Sequence, residues 1–491
     1  MRVDPTWMSI SDLARELERG QVSCVEIVQA TLDRTKRLDK TLNTYITLTA
    51  EAALAEAKIV DGEIAKGRYR GPLHGIPVAI KDHIDTAGVR TTAGAKSRIT
   101  NVPTTDAAVV RRVKQAGAVI IGKANMNKFA DGESGDNPDF GRIRNPWNTQ
   151  YSPGGSSSGG GAQVAAGLVP LSIGSDNGGS VRIPAALCGV VGLKPTHGRI
   201  SLEGIFPRLY SLDHPGPLTR SVADCAIALQ ILAGHDADDT TTARRLVPDY
   251  VADLRLGVKQ MSIGVDRKYA NVGQSHVLSA FDAAIDMLRR LGATIVDVTI
   301  PSYAEMLAVG NTIAACEYSV AAAHLFRDHP SDFDLAKPPA ASGADIKAGA
   351  LVPAVDYIRA TQKRRLLQQE YARSTRSVAV FISPTYPLAP RPFGEYPKPY
   401  TADDAIRYTF PFDLLGLPAI SVPCGFSPDG MPIGMQFVAR PFDEAAVLRA
   451  AYAYEQATDW HTRHPSLAPA PSPAGGGVSA SNGDPSISHS G

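Results

Sequence analysis

The residues best suited to chemistry lie in two Gly/Ser-rich loops. The first is Pro153-Gly154-Gly155-Ser156-Ser157-Ser158-Gly159-Gly160-Gly161, and the second is Gly174-Ser175-Asp176-Asn177-Gly178-Gly179-Ser180-Val181-Arg182. Gly178-Gly179-Ser180 places a hydroxyl directly after two glycines. Glycine lets backbone N–H groups turn toward one point with no Cβ in the way. N–H groups gathered in this way hold the oxyanion of a tetrahedral intermediate. Ser180 then needs a base. His83, His197 and His214 sit in polar or Pro-flanked segments and read as satisfied or exposed histidines. A lysine serves if its surroundings keep it neutral. Lys81, at the end of the apolar run Ile76-Pro77-Val78-Ala79-Ile80, is the natural candidate. A lone lysine there is otherwise a surface charge, and spacing alone does not choose between the two.

Other readings of the glycines compete. Gly/Ser runs are commonly flexible linkers. Here Val164 to Ser172, small and apolar, lies between the two loops, and a linker does not alternate with core. A phosphate cradle needs G-x-x-x-x-G-K-[ST], which is absent. Gly155-Ser156-Ser157-Ser158-Gly159 matches G-x-S-x-G in form. That motif needs a strong strand before the serine, and Asn148-Thr149-Gln150-Tyr151-Ser152-Pro153 makes a poor one.

The elements that must position these groups follow from pattern. Ser23 with Glu26 forms a capping box. Ile27, Val28 and Leu32 continue it as a helical stripe, and Ala52 to Ala65 is a second helix. Ile76 to Ile80 reads as a buried strand, Asp106 to Gly117 as a helix and Ala118 to Ile121 as the next strand. Strand Ile263 to Val265, helix Ser275 to Leu291 and strand Ala293 to Val298 repeat that rhythm. A strand at Val378 to Ile382, a hairpin of Ala419 to Val422 with Pro432 to Ala439 around Asp429-Gly430, and a helix at Glu444 to Ala457 complete it. Alternating strands and helices imply an α/β protein. From about His464 the chain is rich in Pro, Ser, Ala and Gly and reads as a disordered tail.

Composition excludes several classes. Hydrophobic residues make up 44% and charged residues 20% of 491, ordinary for a globular chain. Lys plus Arg is 50 against 49 for Asp plus Glu, so no nucleic-acid footprint is expected. The five cysteines, Cys24, Cys188, Cys225, Cys316 and Cys424, are scattered without a C-x-x-C pair, which argues against a thiolate zinc site or a disulfide framework. No secretory h-region opens the chain, and no window reads as the roughly 18 apolar residues of a membrane span. A cytoplasmic enzyme without membrane partner, metal or cofactor is expected.

Longer strings carry a resemblance. Gly75-Ile-Pro-Val-Ala-Ile-Lys81-Asp, Arg144-Asn-Pro-Trp147, Pro153-Gly-Gly-Ser156-Ser-Ser-Gly and Asp176-Asn-Gly-Gly-Ser180-Val-Arg182-Ile-Pro resemble the amidase signature family. So do Gly189-Val-Val-Gly-Leu-Lys-Pro-Thr196, Gly216-Pro-Leu-Thr-Arg220 and Gly416-Leu-Pro-Ala-Ile-Ser-Val-Pro423. The similarity runs in order from about residue 8 to 463. Ser158 stands where many members have Gly, and Asn177 where many have Thr or Ile. The resemblance implies an α/β fold: a large mixed, mostly parallel twisted β-sheet flanked by helices on both faces. Residues 1–65 would be a helical segment packed on a 66–463 core, with 464–491 as tail. It implies Ser180 as nucleophile, Lys81 as neutral base and Ser156 as proton shuttle after a cis peptide at Gly155. The N–H groups of Asn177, Gly178, Gly179 and Ser180 would form the oxyanion hole. Asp176 and Arg182 would pair to hold the loop, with Trp147 as core support.

The resemblance covers free-standing amidases and the glutaminase subunit of a tRNA-dependent amidotransferase. That subunit usually shows an Arg-Arg-Ile-Met-Leu-Gly type string, where this chain has Lys363-Arg-Arg-Leu-Leu-Gln-Gln-Glu370. Around Thr409-Phe-Pro-Phe-Asp-Leu-Leu415 the chain looks more like free-standing amidases. The expectation is therefore a monomeric or homodimeric hydrolase of small amides, aryl amides or carbamates. The glutaminase of a tRNA-dependent amidotransferase is the alternative. A non-catalytic binding module on the same fold is a further alternative. Substrate pockets are expected from Asn125 to Phe140, Leu202 to Tyr210 and Ala308 to Asp356.

Overall fold

A computed structural model describes residues 4–333, 343–394 and 396–467. Its strands are β1 (Tyr45–Leu48), β2 (Pro77–Lys81), β3 (Val119–Ala124), β4 (Leu171–Asp176), β5 (Val191–Lys194) and β6 (His214–Thr219). They continue as β7 (Ser262–Val265), β8 (Thr294–Asp297), β9 (Val380–Pro384), β10 (Ala419–Phe426) and β11 (Pro432–Ala439). All eleven form one sheet in the order β1-β3-β2-β4-β6-β5-β10-β11-β9-β7-β8.

The sheet is large and mixed, as expected, but parallel pairing does not predominate. Parallel ladders join β3-β2-β4 at one end and β9-β7-β8 at the other. The six remaining ladders are antiparallel. The cause is connectivity. Strand–helix–strand units around Ala108–Gln115 and Ser275–Arg290 return the chain parallel. The β10–β11 hairpin and the ladders of β6 fill the centre with reversed strands.

Alternation along the central strands assigns the two faces. Ile382, Ile420 and Phe437 enter one apolar cluster, together with residues of helices that include Ile10–Glu18, Cys24–Leu42, Ala108–Gln115, Val222–Leu232, Ser275–Arg290 and Glu444–Gln456. Their chain neighbours Phe381, Ala419 and Val438 enter a second cluster with Tyr303–Asp328, Ala354–Ser374 and Phe410–Leu414. Successive strand residues point to opposite faces, so helices cover both.

Residues 1–65, expected as helical, also contribute β1, which pairs antiparallel with β3. The capping box on Cys24–Leu42 is formed by Ser23 and Glu26. Past residue 463 the chain still packs: His464 stacks on Trp7 at 3.9 Å and Leu467 lies against the core. The rest of the expected tail, 468–491, lies outside the described residues. One helix, Tyr303–Asp328, is long and apolar enough to cross a membrane by length and composition, which corrects the expectation that no segment qualifies.

Candidate active site

The first glycine loop is packed core, not linker. Ser158–Ala165 is a helix buried along its whole length. A Cβ on Gly159 would meet the carbonyl oxygens of Asn125 and Thr44 at 2.5 Å, and one on Gly160 would meet Ser172 Oγ at 2.7 Å. The glycines let this helix lie against β4 and the chain around Asn125. Gly155 is equally confined, since a Cβ there would stand 2.3 Å from Asn127 Oδ1. The Gly155–Ser156 peptide is cis. The G-x-S-x-G alternative fails because Ser157 is buried and its hydroxyl donates to the Ser175 carbonyl at 3.2 Å.

Parallel strands β2 and β4 are neighbours and end side by side. Lys81 closes β2, while Ser175 and Asp176 close β4. The carboxyl ends of parallel strands are where α/β sheets gather functional groups. Lys81 Nζ lies 2.8 Å from Ser156 Oγ and 3.0 Å from Ser175 Oγ. Lys81 is 1% exposed and Ser156 0%. Burial drives the ammonium down to about 7, against the upward pull of Asp176 and Asp213. Two other buried lysines are lowered by burial: Lys194 to about 7 and Lys123 to about 8. Geometry separates them from Lys81. Lys123 is spent on the Ile84 carbonyl and the hydroxyls of Thr86 and Thr91, and Lys194 on the carbonyls of Pro195 and Leu417.

Ser180 follows β4, is 7% exposed, and lines a cavity of about 950 Å³. The two serine loops are tied by the Ser157 N–H donating to the Ser180 carbonyl at 3.1 Å. Asn177, Gly178 and Gly155 line the cavity beside Ser180. Among the described residues, the N–H groups of Asn177, Gly178 and Ser180 find no acceptor. Gly179 leaves the expected donor set. Its N–H donates to Asp176 Oδ1 at 2.6 Å and so holds the loop instead. Its own φ of +128° makes the turn, and a Cβ there would stand 2.5 Å from Thr409 Oγ1.

Asp176 and Arg182 are fully buried and paired at 3.0 Å. Burial raises the Asp176 carboxyl, but Arg182 outweighs it and leaves the group at about 2. Arg182 also reaches Asp413 at 2.7 Å, the Thr409 carbonyl at 3.1 Å and Gln436 at 3.1 Å. Asp413, Thr409 and Ser175 were missed in the sequence. Asp413 and Thr409 lie more than 220 positions from Arg182 in the chain, where no local spacing reveals them. Trp147 is a support: its Nε1 donates to the Cys188 carbonyl at 2.8 Å and its ring meets the Phe426 ring at 4.9 Å. His83 and His214 are buried, and burial pushes both well below the usual histidine range.

All three expected segments reach the cavity, through Asp131 to Asp136, Arg208 and Leu209, and Asn311 to Tyr318. Other lining residues were not foreseen: Arg142, then Arg391, Phe393, Gly394 and Tyr396, and the stretch Ala402 to Phe410. The arginines on the wall are paired: Arg142 with Asp136 at 3.1 Å, Arg208 with Asp131, and Arg391 with Glu133 at 3.5 Å.

The site thus sets the Ser180 hydroxyl in the cavity beside the amides of Asn177 and Gly178, and the Ser156 hydroxyl against buried Lys81, on a mixed α/β sheet. The chain belongs to the amidase signature family: the Amidase family model matches residues 26–448. It is 41% identical to a glutamyl-tRNA(Gln) amidotransferase subunit of Methylococcus capsulatus, over 93% of this chain and 98% of that one. Among solved structures, the native peptide amidase of Stenotrophomonas maltophilia is 32% identical with a TM-score of 0.81, covering 92% of this chain and 96% of that one. A structure described as a vestigial protein complex that reveals the origins of an s-triazine catabolic enzyme is 34% identical with a TM-score of 0.85, covering 91% and 98%.

Proposed function

We propose that this chain hydrolyses a carboxamide C–N bond through an acyl-enzyme on Ser180. Ser180 Oγ attacks the carbonyl carbon as its proton passes through Ser156 to neutral Lys81. The N–H groups of Asn177, Gly178 and Ser180 receive the oxyanion. One such donor is worth about 3–4 kcal/mol in the transition state. When the intermediate collapses, Ser156 delivers the proton to the departing nitrogen, and water then cleaves the acyl-enzyme. A nitrogen leaves as the protonated amine, so a shuttle serving both nucleophile and leaving group suits amides. Asp176, Arg182 and Gly155 hold the loops in place. The observation that carries the reading is the 2.8 Å approach of buried Lys81 Nζ to Ser156 Oγ.

Two substrate readings rest on different observations. By similarity, the glutaminase of a tRNA-dependent amidotransferase is the better supported: the curated relative matches at 41% identity across nearly both full lengths. That reading calls for partner subunits. A free-standing amidase acting on neutral amides or carbamates is supported by the cavity wall. Among the described residues, every arginine there has a carboxylate partner, so no unpaired guanidinium awaits an α-carboxylate. Arg364, in the divergent 363–370 string, donates to the Leu414 carbonyl and to Ser211.

A fluorophosphonate probe with peptide mapping tests the chemistry. It should label Ser180 and nothing else, and Ser180→Ala should keep its circular dichroism while losing all turnover. Retained turnover ends the assignment, and an unlabelled chain supports a binding module. Ammonia or amine release from glutamine, anilides and carbamates then separates the substrate readings.

A further inference from the structure

The Gly178–Gly179 peptide sits beside Ser180 with no side chain of its own to steer it. Two bonds hold it from opposite ends. Thr409 Oγ1 donates to the Gly178 carbonyl at 2.6 Å, and the Gly179 N–H donates to Asp176 Oδ1 at 2.6 Å. Turned over, this peptide would aim its carbonyl at the Asp176 carboxylate, a repulsive arrangement. In the observed orientation the carbonyl faces a hydroxyl. Thr409 is itself fixed. It has no exposure, its N–H donates to the Ile406 carbonyl at 3.0 Å, and its carbonyl accepts from Arg182 at 3.1 Å. Its neighbours Ile406 and Phe410 line the cavity.

We propose that Thr409 is a positioning residue for the oxyanion hole: its hydroxyl anchors the Gly178 carbonyl and so fixes the place of the loop from which the flanking Gly178 and Ser180 N–H groups project. The inference rests on the acyl-enzyme reading at Ser180. Glycine pairs reorient easily, so a loop held at one end only loses its aim. A half-buried carbonyl left without its donor also seeks another partner. Both effects weigh on the transition state, where the oxyanion is formed, more than on the bound substrate. The loss therefore falls on kcat and spares KM.

The test compares Thr409→Val, which keeps the shape and removes the hydroxyl, with Thr409→Ser, which keeps the hydroxyl. Labelling of wild-type Ser180 by fluorophosphonate is read first. Its absence sinks the acyl-enzyme reading, an outcome separate from anything the variants show. With labelling in hand, Thr409→Val should lose about 10- to 100-fold in kcat, less than the ~100- to 1,000-fold for deleting a donor outright. Its KM should stay within about threefold, and its affinity for an aryl boronic acid should fall in step with kcat. Thr409→Ser should stay near wild type. Wild-type kcat in Thr409→Val, or an equal fall in Thr409→Ser, overturns the proposal. Should Thr409→Val fail to fold, a crystal structure of the wild-type chain with the boronate decides. A boronate oxygen within hydrogen-bond distance of the Gly178 N–H, with the Thr409 bond intact, supports the assignment. An oxygen bound elsewhere, or a turned peptide, overturns it.

Discussion

At the scale of residues, the chemistry turns on where one proton sits. In the proposed mechanism Lys81 is the base and must be uncharged, and burial brings its titration to about 7. The sign follows directly. Below that pH the amine is protonated and the base is lost, so kcat/KM should fall about tenfold per pH unit. Above it the rate should level off. A pH profile of kcat/KM on a neutral anilide checks this, and a plateau that persists into acid removes Lys81 from the role. Lys81→Ala should cut amide turnover by several orders of magnitude and ester turnover by less, since an ester's leaving oxygen needs its proton less urgently than nitrogen. A mild, equal loss on both substrates would count against the same assignment. The serines and this lysine were legible because their types and loop composition are unusual. The donor set was only partly legible. Whether a glycine N–H faces a substrate or a neighbouring carboxylate depends on a peptide's rotation, and residue identity does not report it. Gly179 illustrates the point, since its N–H goes to Asp176.

At the scale of elements, two strand ends and one short helix build the site. β2 delivers Lys81, β4 delivers Ser175 and Asp176, and Phe410–Leu414 supplies Asp413 behind the loop. The buried Arg182 guanidinium fastens the nucleophile loop to that helix. Removing it leaves Asp176 charged and unpaired in a fully buried setting. Arg182→Met should therefore destabilise the fold by about 3–5 kcal/mol, the usual result of breaking a buried pair. Urea titration of the variant measures it, and an unmoved midpoint would contradict the role given to the pair. The strand–helix–strand units were legible through short apolar runs bounded by glycine and proline. β5 and β6 were not picked out. Val191–Lys194 is too short to show alternation, and His214–Thr219 contains two prolines that mask its pattern. β1 was hidden for a similar reason, four residues between two long helices.

At the scale of the whole molecule, the cavity is assembled from segments spread between Asp131 and Phe410. Its arginines are neutralised within the wall. An uncompensated carboxylate on a substrate would lose its water and gain no cation in return. Matched anilides, one neutral and one carrying a carboxylate on the acyl chain, should differ by at least about tenfold in kcat/KM in favour of the neutral one. Equal rates would favour a zwitterionic substrate such as glutamine, and with it the glutaminase reading. The long apolar helix Tyr303–Asp328 forms part of the same wall through Asn311 to Tyr318.

The amino-acid sequence by itself determined the α/β rhythm, the two glycine loops and the residue types able to carry acyl transfer. Those properties are local: a short apolar run bounded by glycine or proline, a run of small residues, a hydroxyl after a glycine pair. Only the tertiary structure decided which lysine meets a serine, which way each glycine peptide faces, and how the sheet divides between parallel and antiparallel ladders. These depend on contacts between residues far apart in the chain, and their burial and rotation emerge only once the sheet has closed around them.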